Sequence, residues 1–275
     1  MIRCLFILLA AISTASFSNN AKEKAKISDW QIRGTVAALN DPIAKTRLLA
    51  VESLLKMSEA AQDIAPEVAA LLKDPDEDVR EAAASALGEM GEAGQDFAPD
   101  VAALLKDPDE DVRRAAVGAL GAMGEVRQRF ASDVTVLLKD PDWSVRKAAV
   151  RLLGAMDEAV KDTVPKVAAL LKDPDGDVRK TAVWTLDSMG EAAKDTVPEI
   201  VALLKDPDED VQEAAVSALG ETGEAGQGFA LDLAALLKDP DEDVRKAAVI
   251  ALSKIGKLDT NSVLFILDRV YQSEE

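Results

Sequence analysis

The chain has 275 residues, 48% of them apolar and 4% aromatic, so it is long enough to bury a core and too apolar for a disordered chain. Thirty-two basic against 50 acidic residues leave a net charge of −18, which argues against a nucleic-acid binder held by phosphate neutralisation. Histidine is absent, which removes the commonest metal ligand, the usual general base and every Ser/His or Cys/His nucleophile.

Met1 to Arg3 form a short basic start, and Cys4 to Ile12 an apolar run of nine residues, too short to span a bilayer. Small residues follow at cleavage spacing, Ser13-x-Ala15 and Ser16-x-Ser18. Residues 1–18 are therefore expected to be an export signal peptide cut after Ala15 or Ser18, and both sites stay open. Residues 19–27 then form a linker. Cleavage would remove Cys4, the only cysteine, so the exported chain (secreted, periplasmic or in a secretory lumen) would rest on packing without disulfides.

From Ser28 the chain repeats itself. Asp41, Asp74, Asp107, Asp140, Asp173, Asp206 and Asp239 open seven similar turns, each 33 residues after the last. In one unit, Val68, Leu71 and Leu72 have helical spacing after Pro66, predicting a first helix that begins near that proline. Asp76 then caps a second helix whose stripe of Val79, Ala83, Ala86, Leu87 and Met90 ends at Gly91, a C′ glycine. Trp30 falls in the first helix of the array and is expected to plug its end. Phe265, Ile266 and Val270 predict a closing helix after Thr260.

A single helix pair cannot bury its apolar face, so neighbours must stack. The fold class is all-α, an α-solenoid of antiparallel pairs over residues 28–275, with seven repeats and a C-terminal capping helix. A 33-residue period also suits ankyrin, but its Thr-Pro-Leu-His turn is missing, as is the tetratricopeptide pattern. The segment from Asp76 to Gly91, D-x-x-V-R-x-x-A-x-x-A-L-G-x-M-G, resembles the HEAT repeat in the short form of phycobilisome-lyase HEAT-like proteins.

Columns held constant between copies predict the core: the alanines at 50, 83, 116, 149, 182, 215 and 248, and the leucines at 54, 87, 120, 153, 186, 219 and 252. An arginine column runs through Arg47, Arg80, Arg113, Arg146, Arg179 and Arg245 and is broken at Gln212. The resemblance implies that these arginines tie to turn aspartates, making a structural ladder with Asp74, Asp107, Asp140, Asp173 and Asp239.

The columns that vary carry the functional reading. Positions seven, eleven and fifteen residues after each leading aspartate share one face of the second helix, and the resemblance implies that this face lines a concave groove. The face reads Glu81, Ser85, Glu89 at one flank, Arg114, Gly118, Ala122, then Lys147, Arg151, Ala155 and Lys180, Trp184, Ser188 in the centre, and Glu213, Ser217, Glu221 beyond. Residues 111–155 carry a net charge of +3 within the acidic whole. Trp184 is the expected anchor for an acidic segment of a partner, with Arg151, Lys147, Lys180 and Arg114 around it. Trp143, where four other repeats carry Glu and one carries Gly, is a further contact candidate.

Other chemistry fails on its own residues. Asp173 to Asp177 imitate the start of a calcium loop, but Val178 and Trp184 occupy the positions that need Gly and Glu, so no metal site is assigned and the aspartates read as helix caps. No catalytic residue and no cofactor is expected. The function read from the sequence is a non-catalytic, monomeric scaffold or adaptor for a protein or peptide, with no nucleic acid and no membrane contact after signal cleavage. The resemblance leaves a bilin lyase or chaperone-like protein open as one alternative, and a purely structural exported spacer is the other.

Overall fold

The structure, a computed structural model, describes residues 29–57, 61–156 and 160–255. The signal peptide, the linker and the closing helix expected around Phe265, Ile266 and Val270 lie outside them. The described residues form fifteen α-helices and no strand: α1 Asp29–Ala38, α2 Ala44–Leu55, α3 Ala61–Ala70, α4 Glu77–Glu89, α5 Glu92–Gln95, α6 Ala98–Ala103, α7 Glu110–Ala122, α8 Ala131–Val136, α9 Trp143–Gly154, α10 Val160–Ala169, α11 Gly176–Ser188, α12 Val197–Ala202, α13 Glu209–Glu221, α14 Ala230–Ala235 and α15 Glu242–Lys254. The fold is an all-α solenoid. The chain divides into two compact units between Asp133 and Val134. In the first, the second helices α2, α4 and α7 pack side by side in chain order; in the second, α9, α11, α13 and α15 do the same.

Three devices recur along the chain, though the first repeat, whose second helix has Ile43 at its N-cap and no side-chain cap, lacks the first two. A Leu-Leu-Lys 3₁₀ turn ends the first helix, as at Leu71–Lys73. The next aspartate but one caps the second helix: the Asp76 carboxylate accepts the Val79 amide at 3.3 Å, and Asp109 accepts those of Asp111 and Val112 at 3.0 and 3.1 Å. This is the expected cap, satisfying amides that have no partner within the helix. The helix then stops at a glycine of positive φ: 58° at Gly91, 62° at Gly124, 53° at Gly190 and 57° at Gly223. A side chain there would be strained, which is why the residue is glycine.

The start of the first helix differs from expectation. Pro66 lies inside α3 and Pro165 inside α10, whereas Pro99 and Pro198 stand in the first turn of α6 and α12. The chain ahead of the proline is α-helical at Pro66 and Pro165 and is the 3₁₀ segment Gly190–Thr196 at Pro198, whereas a turn at Asp96 and Phe97 parts α5 from the helix that holds Pro99. The proline therefore changes the hydrogen-bond pattern rather than the path.

The constant columns are the core. All seven repeat alanines are fully buried, and so are Leu87, Leu120, Leu153 and Leu219. Where second helices cross, even a methyl is excluded: a Cβ on Gly88 would lie 2.7 Å from the Ala119 Cα, and one on Gly220 would lie 2.9 Å from the Ala251 Cα. Trp30 does not plug the array, since it stands 57% exposed on α1.

The arginine ladder is present with a reach the sequence did not specify. Four of the arginines donate to the carboxylate of the following repeat's leading aspartate through two nitrogens: Arg47 to Asp74 at 2.7 and 2.6 Å, Arg80 to Asp107 at 2.9 and 2.9 Å, Arg146 to Asp173 at 2.7 and 2.8 Å, and Arg179 to Asp206 at 2.8 and 2.7 Å. The third nitrogen donates to the carbonyl of the arginine's own leading aspartate, as Arg113 does to Asp107 at 2.9 Å. The guanidinium thus closes its own turn and clips it to the next, the fork geometry that suits arginine over lysine. Arg245 donates only to the backbone carbonyls of Asp239 and Pro240 among the described residues. At the position that would clip to Asp239 stands Gln212, whose Nε2 donates to the Asp206 carbonyl at 2.6 Å while its buried Oε1 has no partner.

Candidate functional site

The face that varies between copies reaches solvent, its residues ranging from half-buried to exposed. In the second unit it carries Trp143 at the start of α9, Lys147 and Arg151 further along that helix, and Lys180 and Trp184 on α11. Trp143 and Trp184 are 42% and 45% exposed. That is unusual for residues of this size, whose burial is a main gain of folding.

Lys147 and Lys180 form, with Asp177 and Asp210, a line of alternating charge across three repeats. The Lys147 ammonium lies 5.3 Å from the centre of the Trp143 ring, within cation–π range. It donates to Asp177 Oδ2 at 2.8 Å. Asp177 also pairs with Lys180 at 3.4 Å, and Lys180 donates to Asp210 Oδ2 at 2.7 Å. The hydrogen bond from Lys147, aided by Lys180, holds the Asp177 carboxyl below its ordinary value against a smaller opposing effect of burial. The hydrogen bond to Asp210 likewise raises the Lys180 ammonium.

Sequence reasoning treated Lys147 and Lys180 as free cations, and it missed Asp177 and Asp210 as their partners. These acids sit four residues after a leading aspartate, so their helical register was available as a signal. Arg151 differs from both lysines: its exposed guanidinium makes no hydrogen bond or ion pair among the described residues. It lines, with Lys147, Trp184, Thr181 and Ser188, an open depression of about 440 Å³ floored by Gly154 and Ala155. The structure therefore brings together Trp184, Arg151, Lys147 and, one turn away, Lys180.

Arg114 belongs to the first unit. Its guanidinium is engaged by Asp111 at 2.8 Å and Glu81 at 3.3 Å. The hydrogen bond to Asp111, with the charge of both acids, raises it further. Chemically the second-unit depression offers an aromatic face, one uncommitted guanidinium and hydroxyls. That set suits a polypeptide carrying a carboxylate beside an apolar group.

A family model described as HEAT repeats matches residues 32–121, 132–196, 164–232 and 197–274. Among solved structures, the chain is similar to the complex of CpcE and CpcF of phycocyanin lyase from Nostoc sp. PCC7120, at 19% identity and a TM-score of 0.53, over 93% of this chain and 99% of that one. It is similar to YibA of Escherichia coli at 19% identity and 0.61, over 93% and 100%. It is also similar to importin beta at 18% identity and 0.64, over 86% of this chain and 38% of that one. At these identities the likeness speaks to the fold. A comparison with curated proteins gives no match.

Proposed function

We propose that this chain, which belongs to the HEAT repeat family, is a non-catalytic protein-binding scaffold that holds a partner polypeptide on the second helices of its fourth and fifth repeats. The observation that carries the reading is the half-exposed Trp184 beside the unpaired Arg151 on one depression. An aromatic anchor with an adjacent cation concentrates binding energy in few residues. The repeats hold their core constant and vary this face from copy to copy, which is the pattern of a frame that presents a surface. Lys147 and Lys180 are committed to Asp177 and Asp210, so the partner's carboxylate meets Arg151, while Lys147, over the ring of Trp143, lines the same depression.

The partner is a protein or peptide with an acidic segment, and the scaffold acts as a monomer outside the cytoplasm. The basic start and apolar run of residues 1–12 support export. Trp184→Ala combined with Arg151→Glu is expected to weaken capture from the exported fraction of the source organism by at least 30-fold, about 2 kcal/mol. Circular dichroism should stay unchanged, because both side chains are exposed. Added salt should weaken capture by the unaltered chain through screening. Equal capture by the double variant overturns the site, and no capture by either protein leaves the chain a structural spacer.

A further inference from the structure

Fourteen residues after the leading aspartate, four repeats carry glycine: Gly88, Gly121, Gly154 and Gly220. This is the crossing point described above, where the glycine at 88 or 220 meets the backbone of an alanine 31 residues on. The fifth repeat carries Asp187 instead, facing Ala218. A carboxylate side chain at a crossing too tight for a methyl keeps the seam between α11 and α13 from closing in the same way.

At that seam lies a cavity of about 810 Å³, whose lining includes Asp187, Ala218 and Glu221 together with Leu186, Ile200 and Phe229. Its size falls within the range of small-ligand sites. Among the described residues the Asp187 carboxylate makes no hydrogen bond or ion pair. The cation nearest in effect, Lys254, is bonded to Glu221, and Lys194 at the rim is bonded to Glu191. Burial, then the charge of Glu221, raises the Asp187 carboxyl above its ordinary value, with Lys254 opposing. A half-buried carboxylate without a partner costs free energy that a fitting cation recovers.

We infer that the cavity between α11 and α13 is a binding site for an organic cation, a protonated amine or guanidinium attached to an apolar body, with Asp187 as its counter-ion. The cationic head sits between Asp187 and Glu221, and the body packs on Leu186, Ile200 and Phe229. A free amphiphilic amine and the lysine or arginine of a bound polypeptide share this chemistry. The site is separate from the Trp184 depression and stands or falls without it.

The test uses the full chain, with binding followed by calorimetry and by methyl shifts of Ile200. Its probes are 4-phenylbutylamine, the neutral 4-phenylbutanol and the blocked tripeptide Leu-Arg-Leu. At least one cationic probe is expected to bind. The alcohol should bind at least tenfold more weakly than the amine, and Asp187→Asn should weaken the cationic probe at least tenfold. Asp187→Gly, which installs the residue that four other repeats carry there and so keeps the fold, should do the same. Trp184→Ala with Arg151→Glu should leave probe binding intact. Tighter binding of the amine assigns the site to a small molecule, and tighter binding of the tripeptide assigns it to a polypeptide. Binding unchanged in Asp187→Asn, equal binding of the alcohol, or no binding of either cation overturns the inference.

Discussion

Single substitutions among otherwise equivalent copies are the residues whose physics departs from the frame. Gln212 leaves its Oε1 buried without a partner and cannot clip to Asp239. Gln212→Arg is therefore expected to restore the two-nitrogen bond seen at Arg179 and to raise the melting temperature by about 2–4 °C for each kcal/mol gained. An unchanged or lower melting temperature would contradict it.

Asp187 acts in the opposite sense to the ladder acids. Its folded carboxyl is raised, so the ionised group costs stability at every pH above its ordinary value of about 3.9. Asp187→Asn should raise the melting temperature at pH 7, and the gain should vanish below about pH 4, where the carboxyl is protonated in both states. A gain that persists at low pH would refute the electrostatic cause. The break at Gln212 was visible in the sequence as an exception in a column. The exception at Asp187 was equally visible but passed unread, because the glycine column had not been recognised as a helix crossing.

At the scale of elements, the devices that are local in sequence were legible and those that depend on packing were not. The Asp caps and the C′ glycine follow from backbone groups that any helix end must satisfy, so Asp76 and Gly91 could be placed from sequence alone. The start of the first helix could not, because proline is accommodated both in a first turn and, where neighbours hold the chain, further inside, as at Pro66 and Pro165. The cap itself is measurable. Asp109 accepts two amides at the head of α7, and Asp109→Ala should cost about 1 kcal/mol. The urea midpoint should fall with the slope unchanged. A change in slope would mean that the substitution altered more than the cap.

At the scale of the whole molecule, a composition without histidine and with few aromatics becomes intelligible. Buried columns of alanine and leucine build the frame, and most of the acid serves turns, caps and the ladder rather than a site. Lys147 and Lys180 show why the surface was harder to read: charge counted along the chain does not say which cations are already paired across repeats. What remains distinctive is the aromatic face of Trp184 with Arg151 uncommitted beside it. The most direct measurement is the affinity of the captured partner for two double variants. One is Trp184→Ala with Arg151→Glu; the other is Lys172→Glu with Lys205→Glu, which reverses exposed lysines at the ends of first helices. The account predicts a loss of at least 30-fold in the first and less than threefold in the second; the reverse order, or equal losses, would contradict it.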